Sequence, residues 1–81
     1  MSVDYNSLLT DDQKRNILNQ RIAQFASDAY QHSLNKATSE KVGDADGIAS
    51  SEKAIATLET AIEIHQTELA TLAPEAATPT L

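Results

Sequence analysis

The side chains of this sequence best suited to hold a metal ion or move a proton are His32 and His65, and the two aspartates of the stretch GDADG, Gly43 to Gly47. A calcium loop of the EF-hand kind needs oxygen ligands at its first, third and fifth positions, glycine at the sixth and glutamate at the twelfth. With Gly47 as the sixth, Asp44 and Asp46 fall on the third and fifth, but Val42 stands first and Lys53 twelfth, so the stretch reads as an acidic turn. Neither histidine sits in an HExxH or ExxH spacing, which leaves zinc and di-iron sites without their ligand sets. Serines are plentiful, but none is tied by spacing to a His and an Asp, and nucleophilic chemistry also needs a pocket that excludes water. No catalytic residue, metal site, cofactor or small-molecule substrate is therefore expected.

The elements around these residues read as two helices. Thr10 can cap the first, Gln13 completes a capping box, and Asp11 and Asp12 complement the positive end of the helix dipole. No Gly or Pro intervenes before Gly43, so the helix can run about thirty residues, or about 45 Å. Projected at 100° per residue, Leu18, Ile22, Phe25, Ala26, Ala29, Tyr30, Ser33, Leu34 and Ala37 gather on one broad face. From Ile48 onward the pattern narrows to a coiled-coil seam. Ile48, Ile55, Ile62 and Leu69 recur every seventh residue, each followed three residues later by Ser51, Leu58, His65 and Leu72. Between the arms, Gly43 and Gly47 tolerate positive φ, and the aspartates can close turns or cap the next helix.

A short connection makes the helices antiparallel neighbours, and a hinge near residue 45 pairs residues whose numbers sum to about 90. Leu18 then faces Leu72, Ile22 faces Leu69, Phe25 faces His65, Ala29 faces Ile62, and Ala37 faces Ile55. Arg21 comes near Glu68. The expected fold is all-α, an antiparallel two-helix hairpin of coiled-coil type with extended N- and C-terminal segments. Its parts are a docking segment at 1–10, helices at 11–42 and 48–73, a hinge at 43–47, and a Pro- and Thr-containing tail at 74–81. The hairpin seam is Leu18, Ile22, Phe25, Ala29, Ile55, Leu58, Ile62, His65, Leu69 and Leu72.

Composition bounds the role. Eighty-one residues without cysteine form one small domain with no disulfide or thiolate metal site to brace it, so packing against another chain is the expected support. Twelve acidic against six basic residues give a formal charge of -6, which repels nucleic-acid phosphates and anionic membranes. No apolar run approaches the roughly 20 residues needed to span a bilayer, and the opening MSVDYNSLLT lacks the features of a secretory signal. A cytoplasmic protein, or one built into an assembly there, is expected, with protein as its partner.

The back of the second helix says where that partner would sit. Thr57, Thr60, Ile64, Thr67 and Thr71 repeat the three-four spacing away from the seam, where a free hairpin would carry Lys and Glu. Gln20, Gln24, Ser27, Gln31 and Thr38 leave the first helix uncharged as well. Val3, Tyr5, Leu8 and Leu9 precede the first helix with no place in a two-helix seam. These terminal apolar residues and the threonine stripe are the expected partner-binding surface.

The segments LLTDDQKRNILNQRIAQFASDAYQHSLNK and AIATLETAIEIHQTEL resemble the small helical-hairpin proteins encoded among the structural genes of tailed bacteriophages. That resemblance implies a minor capsid or other virion-associated protein without catalytic residues, docking in multiple copies. The chain is also similar in length and acidity to the secreted WXG-type helical hairpins, but it contains no Trp and so lacks the Trp-x-Gly turn of that family. The rival expectation is a soluble regulatory adaptor or inhibitor that binds one partner through the same helices.

Overall fold

The computed structural model of the protein describes residues 3–72. Those residues form three helices and no strand: α1, Tyr5–Leu8, α2, Asp11–Val42, and α3, Ala45–Thr71. The two long helices pack against each other as an all-α hairpin. The expected tail at 74–81 lies outside the described residues.

α2 starts where its sequence supplies a cap. Gln13 N donates to Thr10 Oγ1 at 3.0 Å, and Thr10 N donates to Gln13 Oε1 at 2.8 Å, so two otherwise orphaned donors are satisfied reciprocally. Asp11 and Asp12 occupy the first turn, and Arg15 Nη1 reaches Asp12 Oδ1 at 2.6 Å. Ahead of it, the docking segment is not wholly extended, because Asp4 caps the single turn of α1 by accepting from Ser7 N at 3.3 Å and from Ser7 Oγ at 2.6 Å.

The hinge is shorter than the 43–47 expected, and α3 begins at Ala45 instead of residue 48. Gly43 takes φ 75°, the left-handed conformation that ends α2, and donates from its N to Glu40 O at 3.3 Å. Asp44 N closes the same terminus on Ser39 O at 2.8 Å, which completes a Schellman motif. The side chain of Asp44 meanwhile caps α3, its Oδ1 accepting from Gly47 N at 3.0 Å. One residue thus finishes α2 and starts α3, and no longer loop is needed.

Gly47 is consequently not a turn residue. It lies in the first turn of α3 without positive φ, and a Cβ there would collide with Ser39 Oγ and come within 2.6 Å of Asp44 Oδ2. Its missing side chain serves the close approach of the two helices next to the hinge.

Leu18, Ile22, Phe25 and Ala29 from α2, and Ile55, Leu58, Ile62, His65, Leu69 and Leu72 from the other arm, are all half-buried along the seam. Beyond Ala29 the packed edge of α2 departs from the broad apolar face. His32, Lys36 and Ser39 are the half-buried residues, whereas Ala26, Ser33 and Ala37 are exposed and Tyr30 and Leu34 keep 65% and 51% of their surface in solvent. Ala37, expected to face Ile55, is thus exposed. A single neighbouring helix covers only one narrow line of side chains, spaced alternately by three and four. Continued from Leu18, Ile22, Phe25 and Ala29, that line runs through His32, Lys36 and Ser39. Tyr30 and Leu34 lie well around the cylinder from it.

A two-layer object without a third layer cannot enclose much. Among the described residues only Ser51 is buried, at 7% exposure, and no hydrophobic side chain is. Each half-buried Leu or Ile contributes on the order of 1 kcal/mol, about half the value for full burial.

Candidate functional site

Among the described residues, a tight cluster of polar and aromatic side chains joins the helices towards the open end of the hairpin. Phe25 and His65 meet edge to face with ring centroids 4.9 Å apart and planes at 76°. Arg21 lies over the Phe25 ring at 5.3 Å from its centroid and donates from Nε to His65 Nε2 at 2.9 Å. His65 Nδ1 lies 2.6 Å from Ala61 O. A carbonyl oxygen only accepts, so Nδ1 carries the proton, and Nε2, which takes a hydrogen bond from a guanidinium, presents its lone pair. The two contacts fit a single tautomer, with Nδ1 donating and Nε2 accepting. Arg21 therefore uses His65, not the expected Glu68, as its cross-helix partner.

Towards the hinge the seam is crossed by an ion pair, Lys36 Nζ to Glu52 Oε2 at 3.1 Å. The hydrogen bond and charge of Glu52 raise the Lys36 pKa above the ordinary lysine value. At the far end of the chain, the hydrogen bonds from Ser7 lower the Asp4 carboxyl.

Two recesses flank the seam. A groove of about 450 Å³ runs along one edge between Asp28 and His32 of α2 and Ala54, Thr57 and Leu58 of α3, open because Ala54 fills little of it. Asp28 Oδ1 accepts from Gln24 Nε2 at 2.9 Å, so its hydrogen bonding belongs to its own helix. At the open end, Tyr5, Asn6, Leu9, Lys14, Ile17, Leu18 and Glu68 line an open, largely apolar recess of about 150 Å³. Leu9, expected to be free for a partner, is half-buried there, while Val3, Tyr5 and Leu8 remain exposed. Among the described residues no three His, Asp or Glu side chains gather closely enough to hold a metal ion, and no helix is long and apolar enough to cross a membrane.

Thr57, Thr60, Ile64, Thr67 and Thr71 are all exposed, Ile64 at 62%. Their surface is less polar than their names suggest. Thr60 Oγ1 donates to Ala56 O at 3.1 Å and Thr71 Oγ1 to Glu68 O at 2.7 Å, so these hydroxyls are spent on their own helix. On α2, Ser33 Oγ donates to Tyr30 O at 2.6 Å and Thr38 Oγ1 to Leu34 O at 3.0 Å. Together with Ala23, the exposed Ala26, Tyr30, Ser33, Leu34 and Ala37 of the broad apolar face form a second uncharged stripe.

The stripes lean to opposite edges. Seam spacing puts Ala26, Ser33, Glu52 and Glu59 along one edge of the hairpin, and Arg21, Asp28, Ala54 and Ala61 along the other. Tyr30 and Ala37 border the first edge, Thr57 and Ile64 the second.

No family model, curated protein or solved structure matches the chain.

Proposed function

We propose that this chain is a non-catalytic structural protein that packs in multiple copies into a larger assembly. A phage capsid or other virion assembly is the setting implied by the resemblance of its helices to small virion-associated hairpins. The observation that carries the reading is the pair of uncharged stripes on a hairpin with no buried hydrophobic side chain among its described residues. A soluble two-helix protein normally surrounds its seam with charge. Here the charge is concentrated elsewhere, and Tyr30, Leu34 and Ile64 stand exposed among small residues and inward-bonded hydroxyls.

The opposed lean of the stripes supports several neighbours over one. A single flat partner covers one edge and leaves the other wet. A row of copies, or a lattice receiving the hairpin between two of its members, covers both, and contacts that join unlike faces propagate in this way. Mutual burial also supplies the stabilisation that half-buried seam residues do not.

Sedimentation equilibrium across concentration, with circular dichroism on the same samples, tests the proposal. A helical oligomer that grows with concentration is expected. A fully helical monomer at every concentration, which also ignores virion particles, would overturn it. A defined one-to-one complex with a single protein would instead favour the regulatory adaptor.

A further inference from the structure

We propose, building on the assembly reading above, that the groove beside Ala54 receives Tyr30 of a second copy, so that hairpins stack in rows through unlike edges. Tyr30 is shaped as the knob of such a contact. It keeps 65% of its surface in solvent, and its neighbours on that edge, Ala26, Ser33 and Ala37, are exposed and small. Ser33 bonds to its carbonyl oxygen, which leaves the phenol hydroxyl open among the described residues.

The groove supplies the hole. It measures about 450 Å³, whereas a cavity of about 150 Å³ already admits a benzene ring. Asp28 and Lys53 both line it. A phenol hydroxyl donates one hydrogen bond and accepts others, a carboxylate accepts, and an ammonium donates. The pair therefore suits a tyrosine better than an aliphatic side chain. Asp28 already accepts from Gln24 through Oδ1, and a carboxylate has capacity for further donors.

Knob and hole stand at the same height on opposite edges. The Lys36–Glu52 and Phe25–His65 contacts set Tyr30 level with Leu58 and Glu59, which is the level of the groove between Asp28, His32, Thr57 and Leu58. A sideways step with no shift along the helix axes thus lays α2 of one copy over the groove of the next. Charge agrees with this step. Glu52 and Glu59 lie on the knob edge, and Lys53, without an ion-pair partner among the described residues, lies at the groove at nearly the same level. A contact between two like knob edges would instead gather the glutamates of both copies and leave both grooves empty. Each copy that offers its knob keeps its own groove open, so the contact repeats without closing.

Sedimentation equilibrium of full-length variants, singly and mixed, tests the contact. The natural chain should gain mass steadily with concentration. Tyr30→Ala removes the knob and should weaken association at least about 30-fold, and Tyr30→Phe, which keeps the ring, about fivefold. Ala54→Leu fills the groove and should weaken association as Tyr30→Ala does. Thr57→Trp blocks the same groove from an exposed position and should behave alike, which separates loss of the contact from damage to the seam. An equimolar mixture of Tyr30→Ala with either groove variant retains one intact knob and one intact groove. It should form a complex of two unlike chains and stop there, whereas the double variant Tyr30→Ala with Ala54→Leu should rescue neither single variant's growth into rows. Undiminished association of Tyr30→Ala, or a mixture without the two-chain complex, would overturn the contact while leaving self-assembly by another surface. A natural chain that stays monomeric yet binds virion particles would also overturn it and spare the assembly reading, and one that does neither would overturn both.

Discussion

Gly43→Ala is the substitution that most directly tests whether the chain folds back on itself. Gly43 has φ 75° and ψ 29°, and an added Cβ would meet nothing within 4 Å. The cost is then local, the clash of Cβ with its own backbone in the left-handed region, roughly 1 to 2 kcal/mol. Alanine also restricts the unfolded chain, which offsets roughly 0.4 to 1 kcal/mol of that cost, so a net loss of about 1 kcal/mol is expected. For a domain of this size the melting temperature should fall by roughly 4 to 8 °C, read by far-UV circular dichroism. Gly43→Asn should fall less, because asparagine tolerates the left-handed region. The refuting result is a rise. If α2 and α3 were one continuous helix pairing with a second chain, Gly43 would be an interior helical glycine. Alanine would then stabilise it by about 1 kcal/mol, with the oligomeric state unchanged.

Four further outcomes are expected. Leu58→Asp places an unpaired carboxylate in the seam, and circular dichroism should show most of the helicity lost. Ile64→Lys changes a residue 62% exposed, so the helical signal should persist while association measured by sedimentation weakens. Thr10→Ala removes one side of the capping box and should cost about 1 kcal/mol in urea melts, with fraying confined to the first turn of α2 in amide exchange. Lys36 is raised above 10.5 by Glu52, so the stabilisation from their pair is fully present at neutral pH and is lost as the pH climbs past that value. Melts of Lys36→Met should lack this part of the alkaline decline.

Stretches governed by local chemistry were legible before any coordinates. Thr10 and Gln13 announce a helix start because their hydrogen bonds reach only three residues. The unbroken run from Asp11 to Val42 permits a long helix because nothing in it removes a donor or demands positive φ. The seam of α3 was equally plain, since Ile55, Leu58, Ile62 and Leu69 alternate without ambiguity. The facing of Phe25 and His65 followed from the hinge position together with that alternation.

What remained for the tertiary structure was every choice made by the neighbour. α2 offers two candidate lines past Ala29, one apolar through Tyr30, Leu34 and Ala37 and one polar through His32, Lys36 and Ser39. Hydrophobicity alone favours the first. The two-residue hinge and the close approach at Gly47 hold α3 against the second, and Glu52 meets Lys36 there. Gly43 and Gly47 look alike as letters, but one accommodates a left-handed backbone and the other an adjacent helix. Arg21 likewise bonds to His65 where the register had suggested Glu68, and the His65 ring is in turn tied to Ala61 O, a backbone atom that no side-chain pattern displays. Sequence determined the elements because their causes lie within a few residues. The packed line, and with it the apolar surface left for other molecules, was decided only when one helix had covered part of the other.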